Sequence, residues 1–526
     1  MKKFLLTLLL GAAGLTAQAA PDPALVRQLA AEDNSDKVAA IQQLAQQADP
    51  GSARILQAMA EGNLFLAGGK VYLVEGEQAR DAVTGAAATL PADAEAVTVN
   101  NRLRGELANA LAALKLFDAD RAVRLAAARE LQANVGPEMA ETLGRAKARE
   151  SDDEVRALLI LAHARATLQD AAPAVRLAAV QALADTASPT VRNLLLPLTD
   201  KATEADDAVR NAAILAVKDI GRRLAWSETL ASIFSGLSLG SILLLAALGL
   251  AITYGVMGII NMAHGELLMI GAYSAYAMQS LFRAWAPDYV DWYLPAAIPV
   301  AFFAAALVGV VMERTVIRWL YGRTLETLLA TWGLSLILIQ AARVLFGAQN
   351  VEVANPSWMS GGVELLPNLV LPWNRVIIIG FALSVLFLVW LLMNRTRLGM
   401  FVRAVTQNRP MAGCVGVPTA RIDTLAFALG AGIAGLGGVA LSQISNVGPD
   451  MGQGYIVDSF MVVVVGGVGQ LAGAVWAALG LGIFSKLLEG WAGAVIAKIA
   501  ILVAIIVFIQ KRPQGIFALK GRFADQ

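Results

Sequence analysis

Polar side chains stand at the start of, or inside, long apolar runs in the second half of the chain. The stretch Asn261-Met262-Ala263-His264-Gly265-Glu266 places an amide, an imidazole and a carboxyl group at the start of one such run. Because an ionisable group at membrane depth is costly, such groups usually line a pathway for a solute or ion. The residues predicted to line it are Asn261, His264, Glu266, Thr331, Ser335, Asp458 and Ser459. For His264 and Glu266 the alternative is a helix cap or a hydrogen bond between helices.

The sequence carries little else that points to chemistry. It contains no G-x-x-x-x-G-K-[ST] phosphate-binding loop, and its G-x-G-x-x-G pattern at 430–435 lies within an apolar run with no strand before it. The single cysteine, Cys414, cannot form an intramolecular disulfide. A net charge of +1 leaves no basic excess for binding nucleic acid. We therefore predict no catalytic residue, no metal site, no cofactor and no nucleic-acid partner.

The elements that carry these polar residues have the composition of membrane helices. With 57% hydrophobic and 16% charged residues, the chain is too apolar for an average soluble protein. The predicted fold is all-α, with a polytopic membrane helix bundle of about eight or nine transmembrane segments, each near bilayer length. The apolar segments are Leu230–Thr253, Ala263–Phe282, Leu294–Met312, Leu328–Phe346, Val376–Met393, Leu425–Ile444, Ile456–Val468, Leu471–Leu488 and Val495–Ile509.

Basic residues in the loops orient the bundle. Arginine and lysine are concentrated in 314–323, 394–421 and 511–522, whereas the loops between them carry acids. Positively charged loops remain in the cytoplasm. We therefore predict a multi-pass protein of a bacterial inner membrane, with a periplasmic N-terminal domain, a cytoplasmic C-terminus and an odd number of crossings.

The N-terminal part has the features of an exported helical domain. Lys2, Lys3, an apolar run and a final Ala17-Gln18-Ala19 are typical of a cleaved signal peptide, the alternative being a retained membrane helix. Downstream, Asp-x-x-Val-Arg recurs with an acid to cap a helix, a core valine and a bridging arginine. This pattern resembles HEAT-like repeats, the alternative being an irregular helical domain. Leu64–Leu73 predicts a small hairpin insert.

The run from Tyr254 to Glu266 resembles the opening of the branched-chain amino acid permease family of ATP-binding-cassette (ABC) importers, typically YG-x-x-x-IN-x-AHG. The resemblance extends from about Leu230 to Phe517. It implies a translocation-pore subunit that is not itself an enzyme. It also implies as partners a second related permease, two cytoplasmic ATPase subunits and a periplasmic solute-binding protein, with membrane lipid around the bundle.

The basic loop at 394–421 matches the segment that couples such permeases to their ATPases. The residues implied in this coupling loop are Arg397, Arg403, Asn408, Arg409 and Gly416. The alternative for any one of these arginines is simple positive-inside anchoring.

Within the family, three motifs resemble the urea-transporter branch. They are Thr331-Trp332-Gly333-Leu334-Ser335, Val405-Thr406-Gln407-Asn408-Arg409 and Gly454-Tyr455-Ile456-Val457-Asp458-Ser459-Phe460. The resemblance thus implies a urea permease, and the alternative is a permease for branched-chain amino acids or short-chain amides. A third hypothesis makes the exported domain the functional part and the bundle its anchor.

These arguments divide the chain into four predicted parts. They are a signal peptide at 1–20, an exported helical-repeat domain with its hairpin insert at 21–225, a transmembrane permease domain at 226–513 and a cytoplasmic tail at 514–526.

Overall fold

The computed structural model describes residues 22–517 except 32, 48, 49, 76, 77, 92, 134, 367, 368 and 468. The predicted signal peptide and most of the predicted tail lie outside the described residues. By its internal contacts the chain divides into two units, Met1–Leu224 and Ala225–Gln526.

The N-terminal unit is mainly helical. Its α-helices are α1 Pro23–Gln28, α2 Asn34–Gln47, α3 Pro50–Ala60, α4 Asn101–Lys115, α5 Arg121–Ala133, α6 Ala140–Arg149, α7 Asp153–Ala166, α8 Pro173–Ala184 and α9 Pro189–Leu195. The division into units falls within the next helix, α10, Asp207–Met257.

The insert between α3 and α4 is larger than the predicted hairpin. Strands β1, Leu64–Ala67, and β2, Lys70–Glu75, are antiparallel and meet at Gly68-Gly69, whose φ angles of +55° and +74° suit a tight turn. The sheet has five strands in the order β4-β3-β2-β1-β5, with β3 Gln78–Asp81, β4 Ala87–Ala88 and β5 Glu95–Ala96. The all-α prediction is therefore wrong here, because the three added strands are only two to four residues long and show no apolar alternation.

The recurring Asp-x-x-Val-Arg motif forms helix starts of the expected kind. The Asp152 side chain accepts hydrogen bonds from the backbone N–H groups of Glu154 and Val155, both at 3.1 Å, and caps α7. Val155 is fully buried. Caps of this type fix a helix start because they satisfy amide groups that have no partner within the helix.

The arginines of the motif contact buried acids. Arg124 Nε lies 2.8 Å from Glu150, and Arg176 Nη2 lies 2.7 Å from Glu204. Both glutamates are almost fully buried. Each glutamate stands two residues before the aspartate of the next copy of the motif. The ion pair therefore joins successive copies, through a glutamate that the sequence pattern did not include.

The C-terminal unit contains the bundle. After α10 it comprises α11 His264–Trp285, α12 Tyr293–Thr315, α13 Thr324–Phe346, α14 Trp373–Arg395, α15 Arg397–Gln407, α16 Arg409–Cys414, α17 Thr419–Ser442, α18 Met451–Gly466, α19 Leu471–Ala492 and α20 Ala494–Lys511. A two-stranded antiparallel hairpin, β6 Gly362–Leu366 and β7 Leu369–Pro372, precedes α14.

Seven helical segments among the described residues are long and apolar enough to cross a membrane. They include α10, α13, α14, α17, α19 and α20, together with Pro287–Thr315, which contains α12. The other two predicted segments correspond to α11, which carries several polar residues, and to α18, which has 16 residues. Membrane crossing by α11 and α18 therefore stays a prediction.

Helix α17 lies at the centre of the bundle, where glycines allow close backbone contact. A side chain at Gly438 would overlap the backbone carbonyl oxygen of Leu268 on α11, and one at Gly430 would lie 2.6 Å from the carbonyl oxygen of Gly249 on α10. In lipid, helices associate through such close van der Waals contact. The glycines thus hold α10 and α11 against α17.

Candidate functional site

An irregular, buried segment separates α10 from α11. Helix α10 ends at Met257, and Gly258 takes a φ of +67°, a conformation that L side chains rarely adopt. Asn261 and Ala263 within this segment are buried. Non-helical backbone at membrane depth is tolerated where protein surrounds it.

Four of the predicted pathway residues meet beside this segment. Asn261 Oδ1 accepts a hydrogen bond from Ala263 N at 3.0 Å, and Thr331 Oγ1 accepts one from Met262 N at 3.2 Å. Ser335 Oγ, one turn further along α13, donates to Glu266 Oε1 at 2.9 Å. The structure therefore brings Asn261, Glu266, Thr331 and Ser335 together between α11 and α13.

Two polar atoms of this cluster are buried without a hydrogen-bond partner among the described residues. They are Asn261 Nδ2, a donor, and Glu266 Oε2, an acceptor. Glu266 also lies close to α18, because a Cβ added at Gly452 would be 2.8 Å from its Oε2 atom. Buried polar atoms in native structures are nearly always paired, so two unpaired atoms in one small cluster are unusual.

His264 is buried but belongs to a different contact. Its Nε2 atom lies 3.0 Å from the carbonyl oxygen of Ala246 on α10. A side chain at Gly249 would lie 3.1 Å from the imidazole Cε1 atom, so the ring lies close to the α10 backbone. This geometry matches the alternative of a hydrogen bond between helices.

Asp458 and Ser459 also make contacts apart from the Asn261 cluster. Ser459 Oγ donates to the carbonyl oxygen of Tyr455 in its own helix at 2.7 Å, and the side chain is fully buried. Asp458 Oδ2 lies 3.7 Å from Lys498 Nζ on α20. Neither side chain forms a hydrogen bond with the described residues Asn261, Glu266, Thr331 or Ser335.

The predicted coupling residues lie on α15, on α16 and in the turn after it. Asn408 caps α16 by accepting a hydrogen bond from Met411 N at 3.0 Å. Gly416 has a φ of +87°, which redirects the chain toward α17. Arg403 donates to the carbonyl oxygen of Met393, and Arg397 is exposed.

Arg409 contacts a buried polar network that the sequence analysis did not predict. Its guanidinium pairs with Asp423 at the start of α17 and lies 5.0 Å from the centre of the Tyr321 ring. Glu313, fully buried, accepts hydrogen bonds from Thr424 at 2.8 Å and from Arg318 at 3.2 Å. In the sequence, Glu313 and Asp423 read as ordinary loop charges at the ends of apolar runs, so nothing marked them as buried.

The arrangement supplies hydrogen bonding rather than a reactive centre. No group of three or more histidine, cysteine or acidic side chains suited to a metal ion occurs within the described parts of the chain. The chemistry available is that of hydrogen-bond donors and acceptors buried within a helical bundle.

Comparison with known proteins identifies the family. Residues 232–510 match the family described as "Branched-chain amino acid transport system / permease component". This chain belongs to that permease family. It is therefore a multi-pass permease subunit of an ABC importer in the inner membrane, with no catalytic activity of its own. Residues 1–231 lie outside the matched range.

Individual relatives match along nearly all of their own length. The permease protein BraD of the high-affinity branched-chain amino acid transport system of Pseudomonas aeruginosa is 29% identical over 296 residues, which are 55% of this chain and 95% of the relative. LivH of Escherichia coli K12 is 30% identical over 293 residues, 55% of this chain and 94% of the relative. A probable LivH of Methanocaldococcus jannaschii is 25% identical over 317 residues, 57% and 94% respectively.

Proposed function

We propose that this chain forms one half of the translocation pathway of an ABC importer for small amino acids or amides, with branched-chain amino acids as the first candidate. The observation that carries the proposal is the buried pair of free polar atoms, Asn261 Nδ2 and Glu266 Oε2, at the break between α10 and α11. A donor and an acceptor with no internal partner offer a solute the hydrogen bonds that it loses on leaving water.

The choice of first candidate rests on the relatives, whose names describe branched-chain amino acid transport. The comparisons support this alternative better than the urea permease that the resemblance implied. Urea remains the second candidate, because Asn261, Thr331 and Ser335 offer neutral hydrogen-bonding groups that suit an uncharged solute. The motif at Thr331–Ser335 that resembles the urea branch lies within the cluster itself.

The proposed importer contains further subunits besides this chain. They are a second related permease, two cytoplasmic ATPase subunits and a periplasmic solute-binding protein, with lipid around the helices. The coupling segment would contact an ATPase through α15, α16 and the turn at Gly416. Met411 and Val415 are 60% and 72% exposed and give this segment apolar contact surface.

The proposed topology follows the charges of the loops. A signal peptide at 1–20 directs the helical-repeat domain at 21–225 to the periplasm. The permease domain, 226–513, crosses the membrane nine times if both α11 and α18 span it, and this odd number puts the tail at 514–526 in the cytoplasm.

Reconstitution of the complete importer with its co-purified partners tests the proposal. ATP-driven uptake of labelled leucine into proteoliposomes is expected, and labelled urea tests the second candidate. Co-purification without any ATPase subunit, or uptake of neither solute in a complex that hydrolyses ATP, would overturn the proposal.

Two isosteric variants test the cluster itself. Asn261→Asp keeps the oxygen that accepts from Ala263 but replaces the free donor by an acceptor, and Glu266→Gln makes the opposite exchange. Each is expected to lower uptake about tenfold or more, the effect of one lost hydrogen bond in a buried site. Ser241→Ala is the matched control, because the buried Ser241 hydroxyl donates to Leu237 in its own helix. Unchanged uptake in both variants would remove the cluster from the pathway.

A further inference from the structure

A charged pair joins α18 and α20, two helices that are otherwise almost free of charge. Asp458 is the single charged residue in the sequence of α18, and Lys498 is the single one in α20 before its last residue. At 1.5 Å per residue, Asp458 lies about 10 Å from the start of its helix and Lys498 about 6 Å from the start of its own. The pair therefore lies within the apolar length of both helices.

The pair is not sealed inside the chain. The Lys498 side chain is 53% exposed and that of Asp458 is 24% exposed. A lysine or aspartate facing the hydrocarbon of a bilayer costs about 2.5–3.5 kcal/mol. Because its ammonium group lies 3.7 Å from Asp458, the charge of Lys498 stays at the depth of that carboxylate. The surface that the two residues share must therefore face water or another protein chain.

Other carboxylates of the bundle have closer partners. Glu313 accepts hydrogen bonds from Arg318 and Thr424, and Asp423 pairs with Arg409. The distance of 3.7 Å between Asp458 and Lys498 is longer than the 2.7–3.2 Å of an N–H···O hydrogen bond. The two groups attract by charge without a hydrogen bond, so a solute that separates them and binds both displaces no hydrogen bond.

We propose that Asp458 and Lys498 form a solute contact on the translocation pathway. The carboxylate would accept from the N–H groups of the solute, and the ammonium group would donate to its carbonyl or carboxylate oxygen. The chemical class is a small molecule that carries both kinds of group, as an α-amino acid or urea does. The inference rests on the proposed function and adds Lys498, which the sequence analysis did not single out.

Asp458 and its neighbour Ser459 have different contacts. Ser459 is buried, and its hydroxyl donates to the backbone of its own helix. Asp458 is therefore the residue of α18 that we expect to bind the solute. Because Lys498 is exposed within this chain, the second permease subunit would cover the opposite side of the pathway.

Labelling in the assembled importer tests whether the surface meets water. With Cys414→Ser to remove the native thiol, Lys498→Cys should react with a membrane-impermeant thiol reagent, and solute should slow the reaction. Ile506→Cys on the same helix, 55% exposed at an apolar position, is the matched control and should stay unlabelled. Protection by leucine but not urea, or the reverse, identifies the solute. An unlabelled Lys498→Cys would overturn the proposal.

Uptake by neutral variants tests whether the pair recognises the solute. Asp458→Asn with Lys498→Met should lower uptake about tenfold or more, the effect of losing a hydrogen bond to a charged group. The matched control is Lys486→Met with Glu489→Gln, an ion pair of 2.6 Å within α19, which should transport as the unsubstituted importer does.

The outcomes separate this inference from the proposed function. A pair that only holds two helices together can be replaced by neutral residues at little cost, so normal uptake in the double variant would overturn the inference alone. The inference would also fail if the neutral double variant did not assemble, the charge-swapped variant Asp458→Lys with Lys498→Asp did assemble, and solute gave no protection in the labelling assay. Those results would show that the pair only holds the two helices together. An unsubstituted importer that carries neither leucine nor urea would instead overturn the proposed function.

Discussion

Buried carboxylates in the membrane unit differ in what their oxygens contact. Asp423 pairs with Arg409 through Oδ2, although its Oδ1 has no hydrogen-bond partner among the described residues, and Glu313 accepts from Arg318 and Thr424. Both carboxylates therefore have a charged partner. Glu266 has a serine hydroxyl on one oxygen, and its other oxygen has no partner among the described residues. Because an uncompensated buried charge is strongly destabilising, the first two suit a fixed structural role and the third suits a transient contact.

The Arg409–Asp423 pair is predicted to stabilise the membrane unit. Asp423→Asn removes the charge that offsets the Arg409 guanidinium, and the cost of a buried group left without its partner is roughly 1–3 kcal/mol. The thermal unfolding midpoint of the purified protein in detergent should therefore fall. Asp450→Asn breaks the exposed Arg343–Asp450 pair and serves as the control, with an expected cost below about 1 kcal/mol. Equal midpoints for the two variants would contradict the prediction.

At the scale of elements, the segment from α15 to the turn at Gly416 combines a fixed start with an exposed surface. Thr396 accepts from Gly399 N at the start of α15, and Asn408 caps α16. The Arg409–Asp423 pair ties α16 to α17, so a force applied to α16 reaches the bundle core. This is the mechanical requirement for coupling to an ATPase.

Changes to this segment are predicted to uncouple ATP hydrolysis from uptake. Gly416→Arg places a side chain where φ is +87°, and Arg403→Glu reverses an exposed charge, so both alter the docking surface while the helices remain in the membrane. Gly413→Ala is the control, because no atom lies within 4 Å of a Cβ there. The measurement is solute-stimulated ATPase activity and uptake in the assembled importer. Normal stimulation in both variants would remove the segment from the coupling role.

The buried acids of the N-terminal unit predict a dependence of its stability on pH. Hydrogen bonds from Arg124 and Arg176 hold the pKa of Glu150 and of Glu204 below their usual 4.5. A carboxyl group with a depressed pKa stabilises the fold fully above pH 4.5, and this contribution is lost as the pH falls through the folded-state pKa. Amide protection in α5, α7 and α8 should therefore decrease below pH 4.5.

Glutamine variants separate this effect from the general influence of acid. The double variant Glu150→Gln with Glu204→Gln is compared with the unsubstituted chain by hydrogen exchange at each pH. The variant should show lower amide protection at pH 7, and the difference in protection should decrease toward pH 3. Exposed Glu141 provides the control, Glu141→Gln. A difference that stays constant across this range would contradict the linkage to these two carboxyl groups.

The sequence predicted the elements that are marked by a pattern of neighbouring residues. Each of the nine apolar segments overlaps a helix, because a run of about 20 apolar residues has few other solutions in lipid. Strand β3, Gln-Ala-Arg-Asp, has no such signal, so the sheet was underestimated. The contacts of the site depend on distant residues. Thr424 lies 111 positions from Glu313, and His264 contacts a backbone carbonyl that no side-chain pattern reveals.

At the scale of the whole molecule, the family match and the two units divide the chain at nearly the same place. The match begins at residue 232, and the second unit begins at Ala225. The relatives are matched over about 94–95% of their own length by roughly the second half of this chain. The length of these relatives therefore leaves no room for a counterpart of the N-terminal unit.

Deletion of residues 21–224 is predicted to leave transport in place. The remaining chain keeps residues 1–20 ahead of Ala225 and retains the Asn261 cluster, the coupling segment and the Asp458–Lys498 pair, because all three lie within the second unit. Assembly with the ATPases and uptake at saturating binding protein should therefore be preserved in proteoliposomes. The dependence of uptake on the concentration of the binding protein should be measured in parallel, because a periplasmic docking role would raise the concentration needed for half-maximal uptake. Loss of uptake from an assembled complex at saturation would show that the helical unit takes part in the transport step itself.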